Sequence, residues 1–316
     1  MTLALALPRR RVAAARETVV DVPVGEGASV RCHYVAPDAG RGTVVVLHGL
    51  TGSADAPYVH GVARKVVCSG LGVVRVNARG CGRLFHLAPQ LGHAGLSADV
   101  VAIMRAFALR RETTRLHLFG FSMGGNIALK AAAESRSDTG IPLCGVVAIS
   151  PAADLAHCAH VIDTDRRLRF YRDVFVRGLR AALRGLAQHH RTAVDRGALR
   201  RIRTLREFDD FYTAPTWGFA DAEDYWRRSS SIGVCDRIVV PALVIAARDD
   251  LLVPLASLAP IRRSAASDLR FLASAKGGHC SFRAARRGGD PDRHWAENRG
   301  LAFLSDLDRD DTRESP

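Results

Sequence analysis

Apolar residues fall into short continuous runs, and these runs alternate with segments in which apolar positions recur every three or four residues. The runs are Thr43–Leu47, Gly72–Val76, Leu116–Phe119, Gly145–Ile149, Pro241–Ala247 and Leu269–Ala273. Runs without polar alternation predict strands buried on both faces of a parallel sheet. Helical spacing between the runs, as over 97–111, predicts helices that cover those faces. The predicted fold class is therefore α/β, with a mostly parallel central sheet between helices.

The two ends of the chain add smaller elements to this pattern. Two strand-like segments, 18–24 and 29–36, are separated by Gly25-Glu26-Gly27 and predict a hairpin. A last helix is predicted over about 295–307. Residues 1–16 and 308–316 lack apolar periodicity, and we expect both to be flexible tails.

Strand-like runs are missing between residues 153 and 235. Six apolar residues there recur three or four apart, with arginines between them: Leu168, Tyr171, Phe175, Leu179, Leu183 and Leu186. This spacing predicts one amphipathic helix. We interpret 153–235 as a helical cap over the carboxyl ends of the strands, inserted into a single domain whose core spans about 17–152 and 236–307.

The charge of the chain is concentrated in this segment. The 316 residues carry a net charge of +13, and among the 45 basic residues only Lys65, Lys130 and Lys276 are lysines. Between Arg166 and Glu207 there are 13 arginines and three acidic residues. Stacking aromatics are not interleaved with these arginines, so we expect no nucleic acid. A solvated helical face remains one interpretation, and contact with an anionic membrane surface or an acidic substrate remains the other.

The pattern of cysteines and of apolar runs indicates the cellular compartment of the protein. The seven cysteines are scattered and form no Cys-x-x-Cys pair, which indicates free thiols and neither a disulfide framework nor a zinc site. The apolar N-terminal run is too short for a signal peptide. No run reaches the roughly 18 apolar residues of a membrane span. These features predict a cytoplasmic protein, with peripheral membrane contact left open, and no metal or cofactor.

The sequence Gly120-Phe-Ser-Met-Gly124 directly follows a predicted strand and precedes a small-residue helix, 126–133. This pattern is typical of a nucleophile elbow, a tight turn on which Ser122 is exposed at the end of a strand. The helix begins just beyond the serine, so its backbone N–H groups point to the place where an oxyanion would form. We expect the N–H groups of Met123 and of Leu50, which follows the first buried strand, to supply this oxyanion hole.

A serine hydroxyl needs a base, and the base needs a carboxylate that holds its tautomer. The strand over 241–247 is followed by Asp249 and Asp250, and the next strand is followed by a glycine loop ending in His279. Both segments lie at strand carboxyl ends, where such sites form. His279 is therefore the candidate base, and the two aspartates are candidate acids.

Short motifs between residues 48 and 279 resemble those of one known family. They are His48-Gly-Leu-Thr-Gly52, Asn77-Ala-Arg-Gly-Cys-Gly82, His93-Ala-Gly95 with Asp99, Gly120-Phe-Ser-Met-Gly-Gly-Asn126, Phe208-Asp-Asp-Phe-Tyr-Thr-Ala-Pro215, Gly218-Phe-Ala-Asp-Ala-Glu-Asp-Tyr225, Asp249-Asp250 and Gly277-Gly-His279. With these motifs the chain resembles the YheT-like branch (hydrolase type 4) of the α/β hydrolases, which is related to animal α/β-hydrolase-domain esterases and phospholipases.

The resemblance implies a function and a catalytic triad. It implies hydrolysis of carboxylic esters, of small-molecule or lipid substrates, without a cofactor. The family pattern of an acid four residues before a proline selects Asp250, given Pro254, and leaves Asp249 to orient the turn. The implied triad is Ser122, Asp250 and His279. Two alternatives remain: an acyltransferase that uses the same triad, and a non-catalytic scaffold that binds an anionic partner through the basic cap. The sequence leaves the acyl chain, the alcohol and the oligomeric state open.

Overall fold

A central sheet runs through the computed structural model, which describes residues 17–135, 140–192, 194–263 and 268–310. Its strands are Thr18–Gly25 (β1), Ala28–Val35 (β2), Thr43–Leu47 (β3), Gly72–Val76 (β4), Leu116–Phe121 (β5), Leu143–Ile149 (β6), Ala242–Ala247 (β7) and Leu269–Ser274 (β8). Their order in the sheet is β1-β2-β4-β3-β5-β6-β7-β8. β2 pairs antiparallel with β1 and β4, and the other pairs are parallel. The predicted mostly parallel sheet is confirmed.

Helices lie on both faces of this sheet and in the segment between β6 and β8. They are Pro57–Cys68 (α1), Ser97–Ala108 (α2), Met123–Glu134 (α3), Leu155–Thr164 (α4), Arg169–His190 (α5), Arg196–Arg201 (α6), Leu205–Phe208 (α7), Ala214–Trp217 (α8), Ala222–Ser229 (α9), Ala259–Arg262 (α10) and Trp295–Asp310 (α11). Alternate residues of the central strands enter opposite layers: Val45 packs in one apolar cluster, and Val44 and Val46 pack in the other. Burial on both faces explains why these strands read as unbroken apolar runs.

The segment between β6 and β7 is helical, and we call residues 153–235 the cap. Its longest helix, α5, buries Leu183 and Leu186 and exposes Arg177 and Arg184. A π-helical turn, Asp209–Thr213, continues α7 into α8. The division of the chain into one core and one cap stays a prediction.

Two boundaries differ from the sequence-based expectation. Helix α3 begins at Met123 and not at Asn126. Its first turn contains Gly124 and Gly125, whose low helix propensity does not indicate a helix in the sequence. The predicted tail from 308 is wrong for its first residues, which belong to α11. Asp308 is fully buried and accepts hydrogen bonds from Gly42 N at 2.9 Å and Arg41 Nε at 2.6 Å. The rest of the predicted flexible tails, 1–16 and 311–316, lies outside the described residues.

The helices differ from membrane-spanning helices in length or hydropathy. Within the described ranges, none is both long enough and apolar enough to cross a bilayer.

Candidate active site

Ser122 lies on the turn between β5 and α3, in a backbone conformation that a serine rarely adopts. Its φ is 53° and its ψ is −118°, a region that is strained for a residue with a side chain. Three hydrogen bonds fix this turn: Ser122 N donates to Ile149 O at 2.9 Å, and Ser122 O accepts from Asn126 N at 3.0 Å and Ala152 N at 3.2 Å. The turn is thus anchored to the neighbouring strand β6 and the segment that follows it.

The two glycines of the Gly-x-Ser-x-Gly pattern allow two backbones to approach closely. A Cβ at Gly124 would lie 2.5 Å from the carbonyl oxygens of Leu47 and His48, and a Cβ at Gly120 would collide with the carbonyl of Gly124. Helix α3 can therefore begin directly behind β3 and β5 only if both positions lack a side chain. This packing brings the start of α3 to the loop that carries Leu50.

Asp250 and His279 form a buried pair at the ends of β7 and β8. His279 Nδ1 lies 2.9 Å from Asp250 Oδ2, and only 6% of His279 and 4% of Asp250 are exposed. The other carboxylate oxygen of Asp250 accepts from the backbone N–H groups of Leu252 at 3.0 Å and Val253 at 3.1 Å. These bonds fix the carboxylate so that it faces the imidazole.

The contact between Asp250 and His279 shifts the pKa of both groups. Burial would raise the pKa of Asp250, but the charge and the hydrogen bond of His279 and the Val253 N–H lower it below the usual value. Burial would likewise lower the pKa of His279, but the carboxylate of Asp250 raises it well above the usual value for a histidine. A stabilised imidazolium is what a general base requires after it has taken a proton.

Asp249 occupies a different position from Asp250. Its Oδ1 accepts from the backbone N–H groups of Gly277 at 2.8 Å and Gly278 at 2.9 Å. Asp249 thus ties the glycine loop to the end of β7, while Asp250 contacts the imidazole that this loop presents. The structure brings Asp250 and His279 together and leaves Asp249 outside the pair. The catalytic roles themselves stay predictions.

A cavity of about 110 Å³ joins the remaining candidate residues. Ser122, Met123, Leu50 and His279 all line it, and the cap closes its other side. Met123 is the first residue of α3, so its N–H has no acceptor within the helix. We call this space the small cavity. Its lining thus includes the nucleophile, base and oxyanion candidates.

The loop that carries Leu50 is held by side chains around it. Tyr58 Oη accepts from Gly49 N at 2.9 Å, and the imidazole of His48 bonds to Gly49 O at 2.8 Å through Nδ1 and accepts from Ala78 N at 3.3 Å. His48 therefore shapes the loop and has no free nitrogen for a reaction. Sequence reasoning missed Tyr58, which carries no motif of its own.

The cap motif over 208–225 holds the loop around His93. Tyr212 Oη accepts from Leu91 N at 2.9 Å, Tyr225 Oη accepts from Ala94 N at 3.0 Å, and Trp217 Nε1 donates to Leu91 O at 3.2 Å. Burial, together with the charges of Arg79 and Lys130, lowers the pKa of His93 to about 3, so its imidazole is neutral. The motif thus fixes one wall of the small cavity.

Asp209 is a cavity residue that sequence reasoning missed. It lies in the π-helical turn of the cap, lines the small cavity, and accepts from Thr213 Oγ1 at 2.7 Å and Trp226 Nε1 at 2.9 Å. Burial raises its pKa to about 7, and the hydrogen bonds of Thr213 and Trp226 offset only part of that effect. The motif contained this aspartate, but nothing in its spacing indicated that it would be buried.

Metal-binding side chains do not cluster in the described part of the chain. There, no three His, Cys, Asp or Glu residues are close enough together to hold a metal ion. The chemistry available to the small cavity from the described residues is that of a hydroxyl, an imidazole–carboxylate pair and backbone N–H groups.

Known proteins are similar to this chain in sequence. The profile of the alpha/beta hydrolase fold family matches residues 42–283. YheT of Escherichia coli is 31% identical over 242 residues, which are 76% of this chain and 70% of YheT. The medium-chain fatty acid ethyl ester synthase/esterase 2 of Saccharomyces cerevisiae is 28% identical, and the match covers 66% of this chain but only 51% of the yeast protein.

Solved structures agree at the level of the fold. An esterase of Pyrococcus furiosus superposes with a TM-score of 0.60 over 95% of this chain and 97% of its own, at 15% sequence identity. The family match over residues 42–283 includes the serine turn and strands β3 to β8. By its sequence match over most of its length and by its sheet topology, this chain belongs to the alpha/beta hydrolase fold family.

Proposed function

We propose that the protein is a serine hydrolase that cleaves carboxylic esters through an acyl-enzyme intermediate. The observation that carries this proposal is the buried pair of His279 Nδ1 and Asp250 Oδ2, 2.9 Å apart, beside the cavity that Ser122 lines. With Nδ1–H bonded to Asp250, Nε2 is left as the nitrogen that can accept a proton. Similarity to relatives named as esterases supports the same reaction class.

The reaction begins at Ser122. His279 Nε2 takes the proton of the Ser122 hydroxyl while Oγ forms a bond to the carbonyl carbon of the ester, and the carbonyl electron pair moves onto oxygen. His279 then gives this proton to the alcohol oxygen as the bond between carbon and that oxygen breaks. Water repeats both steps on the acyl-enzyme and releases the acid.

Two backbone groups would stabilise the tetrahedral anion. Leu50 and Met123 line the same cavity as Ser122, and Met123 also lies at the positive end of the α3 dipole. Loss of one such donor typically costs about 10²–10³ in kcat. The close packing at Gly124 sets the position of both donors.

Transfer of the acyl group to an alcohol is a second candidate. The yeast relative is named for both synthesis and hydrolysis of ethyl esters, and an alcohol can replace water in the second half of the reaction. Product analysis with added ethanol separates the two candidates: a transferase forms the ethyl ester at the expense of free acid, and a strict hydrolase does not.

Turnover of ethyl butanoate tests the proposal. Wild type should hydrolyse the ester, and Ser122→Ala should lose about 10⁴-fold or more in kcat, since the nucleophile is removed. The control is Ser69→Ala, a half-buried serine at the end of α1, far from the cavity along the chain. Equal turnover by wild type and Ser122→Ala would contradict the assignment.

A further inference from the structure

A second, larger cavity lies between α5 of the cap and the loop that follows β4. Its volume is about 550 Å³, within the range of pockets that bind small organic molecules. Apolar side chains from three layers form much of its wall, among them Leu179 and Ala182 of α5, Val76 of β4, and Val100 and Ile103 of α2. We call this space the large chamber.

The buried charges in its wall are neutralised within the protein. Arg79 Nε and Nη2 donate to the carboxylate of Asp99 at 2.8 and 2.7 Å, and Arg79 Nη2 also donates to Val24 O at 3.1 Å. Arg79 is 4% exposed and Asp99 is 6% exposed. His93 is neutral, as described above, and Arg83 is exposed to solvent. A buried wall without a net free charge suits an uncharged, apolar ligand.

The large chamber shares a boundary with the small cavity. Six residues line both spaces: Leu50, Leu91, Gly92, His93, Met123 and Leu179. Ser122 and His279 line the small cavity and do not line the large chamber. The two oxyanion candidates thus lie at the boundary, and the base lies on one side of it.

This arrangement orients an ester. His279 must give its proton to the leaving alcohol, so the alcohol has to lie beside His279, in the small cavity. The carbonyl oxygen then lies at Leu50 and Met123, and the acyl chain extends past them, away from His279. That direction leads into the large chamber.

We propose that the two spaces separate the two halves of the substrate: the large chamber binds a medium or long unbranched acyl chain, and the small cavity admits only a small alcohol. This inference rests on the proposed esterase function and adds its substrate class. Each methylene buried in the chamber should raise kcat/KM about fourfold until the chamber is filled.

Two constitutional isomers test this orientation at constant hydrophobicity. Ethyl dodecanoate places its long chain on the acyl side, and dodecyl acetate places a chain of the same length on the alcohol side. Wild type should hydrolyse ethyl dodecanoate with a kcat/KM at least about tenfold higher. Equal values, or faster hydrolysis of dodecyl acetate, would overturn the proposal.

A substitution in α5 then locates the acyl chain. Ala182→Phe should fill part of the chamber and lower the ratio of kcat/KM for ethyl dodecanoate to that for ethyl butanoate about tenfold. Arg184→Phe, on the exposed side of the same helix, is the matched control and should change neither ester. If Ala182→Phe fails to fold, Ala182→Leu should produce a smaller change of the same sign. An unchanged ratio of the two esters in a folded Ala182 variant would overturn the proposal.

The proposed function can fail separately. Hydrolysis of ethyl butanoate that is lost in Ser122→Ala supports the esterase function whatever the isomers show. Equal rates for the isomers would then overturn only the assignment of the two spaces. Absence of hydrolysis with all three esters would instead overturn the esterase function.

Discussion

The carboxyl edge of the sheet and the cap face each other across the small cavity, but they hold their polar side chains in different ways. At the sheet edge, Asp249 accepts two backbone N–H bonds, and Asp250 accepts two backbone N–H bonds and also bonds to the imidazole of His279. Both carboxylates therefore have fixed directions. On the cap, burial and the neighbouring charges of Arg203, Arg184 and Arg200 lower the pKa of Arg180. None of these four guanidinium groups forms an ion pair with a carboxylate of the described residues, and those of Arg184 and Arg203 donate to backbone carbonyls.

This difference suggests a division of labour. Groups that must be placed to within a fraction of an ångström are carried by strand ends and backbone bonds. The cap contributes cavity walls and an exposed basic surface. Changes at the sheet edge should therefore lower the rate for every ester, and changes in the cap should alter which ester is preferred.

The largest effect is expected at the acid of the triad. Asp250→Asn should lower kcat about 10⁴-fold, because the amide no longer holds His279 in the tautomer that leaves Nε2 free. Asp249→Asn is the matched control. Its side-chain oxygen can still accept from Gly277 and Gly278, so its loss should stay below about tenfold. Steady-state kinetics on both variants decide the point, and similar losses in the two would contradict our choice of acid.

Substitution of a glycine by alanine should have different effects at the sheet edge and in the cap. At Gly124 the new Cβ would lie 2.5 Å from two carbonyl oxygens of the β3 end, so α3 must move and carry the Met123 N–H with it. We expect kcat to fall about 10²-fold. Gly233 of the cap has no atom within 4 Å of an added Cβ, and Gly233→Ala should keep wild-type kinetics. Near-normal activity in folded Gly124→Ala would mean that the oxyanion hole lies elsewhere.

The pH profile should reflect the Asp250–His279 pair. The base must be neutral to accept the serine proton, and the carboxylate raises the pKa of His279 well above its usual value. Below that pKa, kcat/KM should fall about tenfold per pH unit, with its midpoint above the ordinary histidine value of about 6.5. The residual activity of Asp250→Asn should show a midpoint at lower pH. A midpoint below pH 6.5 in wild type would contradict the assigned pair.

The smallest effect is expected at Asp209 of the cap, where it concerns stability. Its pKa is raised from 3.8 to about 7, so the folded state binds a proton that the unfolded state releases, and stability falls as pH rises between these values. Asp209→Asn removes this loss of stability, because the amide does not ionise. Its Tm should exceed that of wild type by about 4 °C at pH 8 and by less than half of that at pH 5. An equal difference at both pH values would contradict the raised pKa.

The sequence predicts the sheet and the serine turn well, because both depend on local pattern. Burial on two faces leaves an unbroken apolar run, and the turn at Ser122 needs glycines at fixed positions around it. The bounds of β3 and β4 match the predicted runs, and the long cap helix follows from its three-to-four spacing.

Features that depend on distant contacts could not be predicted. Asp308 is ordered by Arg41 and Gly42, more than 250 residues earlier in the chain. Asp209 is buried by Trp226 and by a π-helical turn that no periodicity indicates. The large chamber, likewise, exists only where α2, β4 and α5 come together.

The central claim is that Ser122 is the nucleophile of an ester-cleaving site, and a covalent probe tests it most directly. A fluorophosphonate should label wild type, and mass spectrometry of the digested protein should find the adduct on the peptide and side chain of Ser122. Ser122→Ala should take up no label, and Ser69→Ala should label as wild type does. Labelling of Ser122→Ala to the wild-type extent, or an adduct on another residue, would contradict the account.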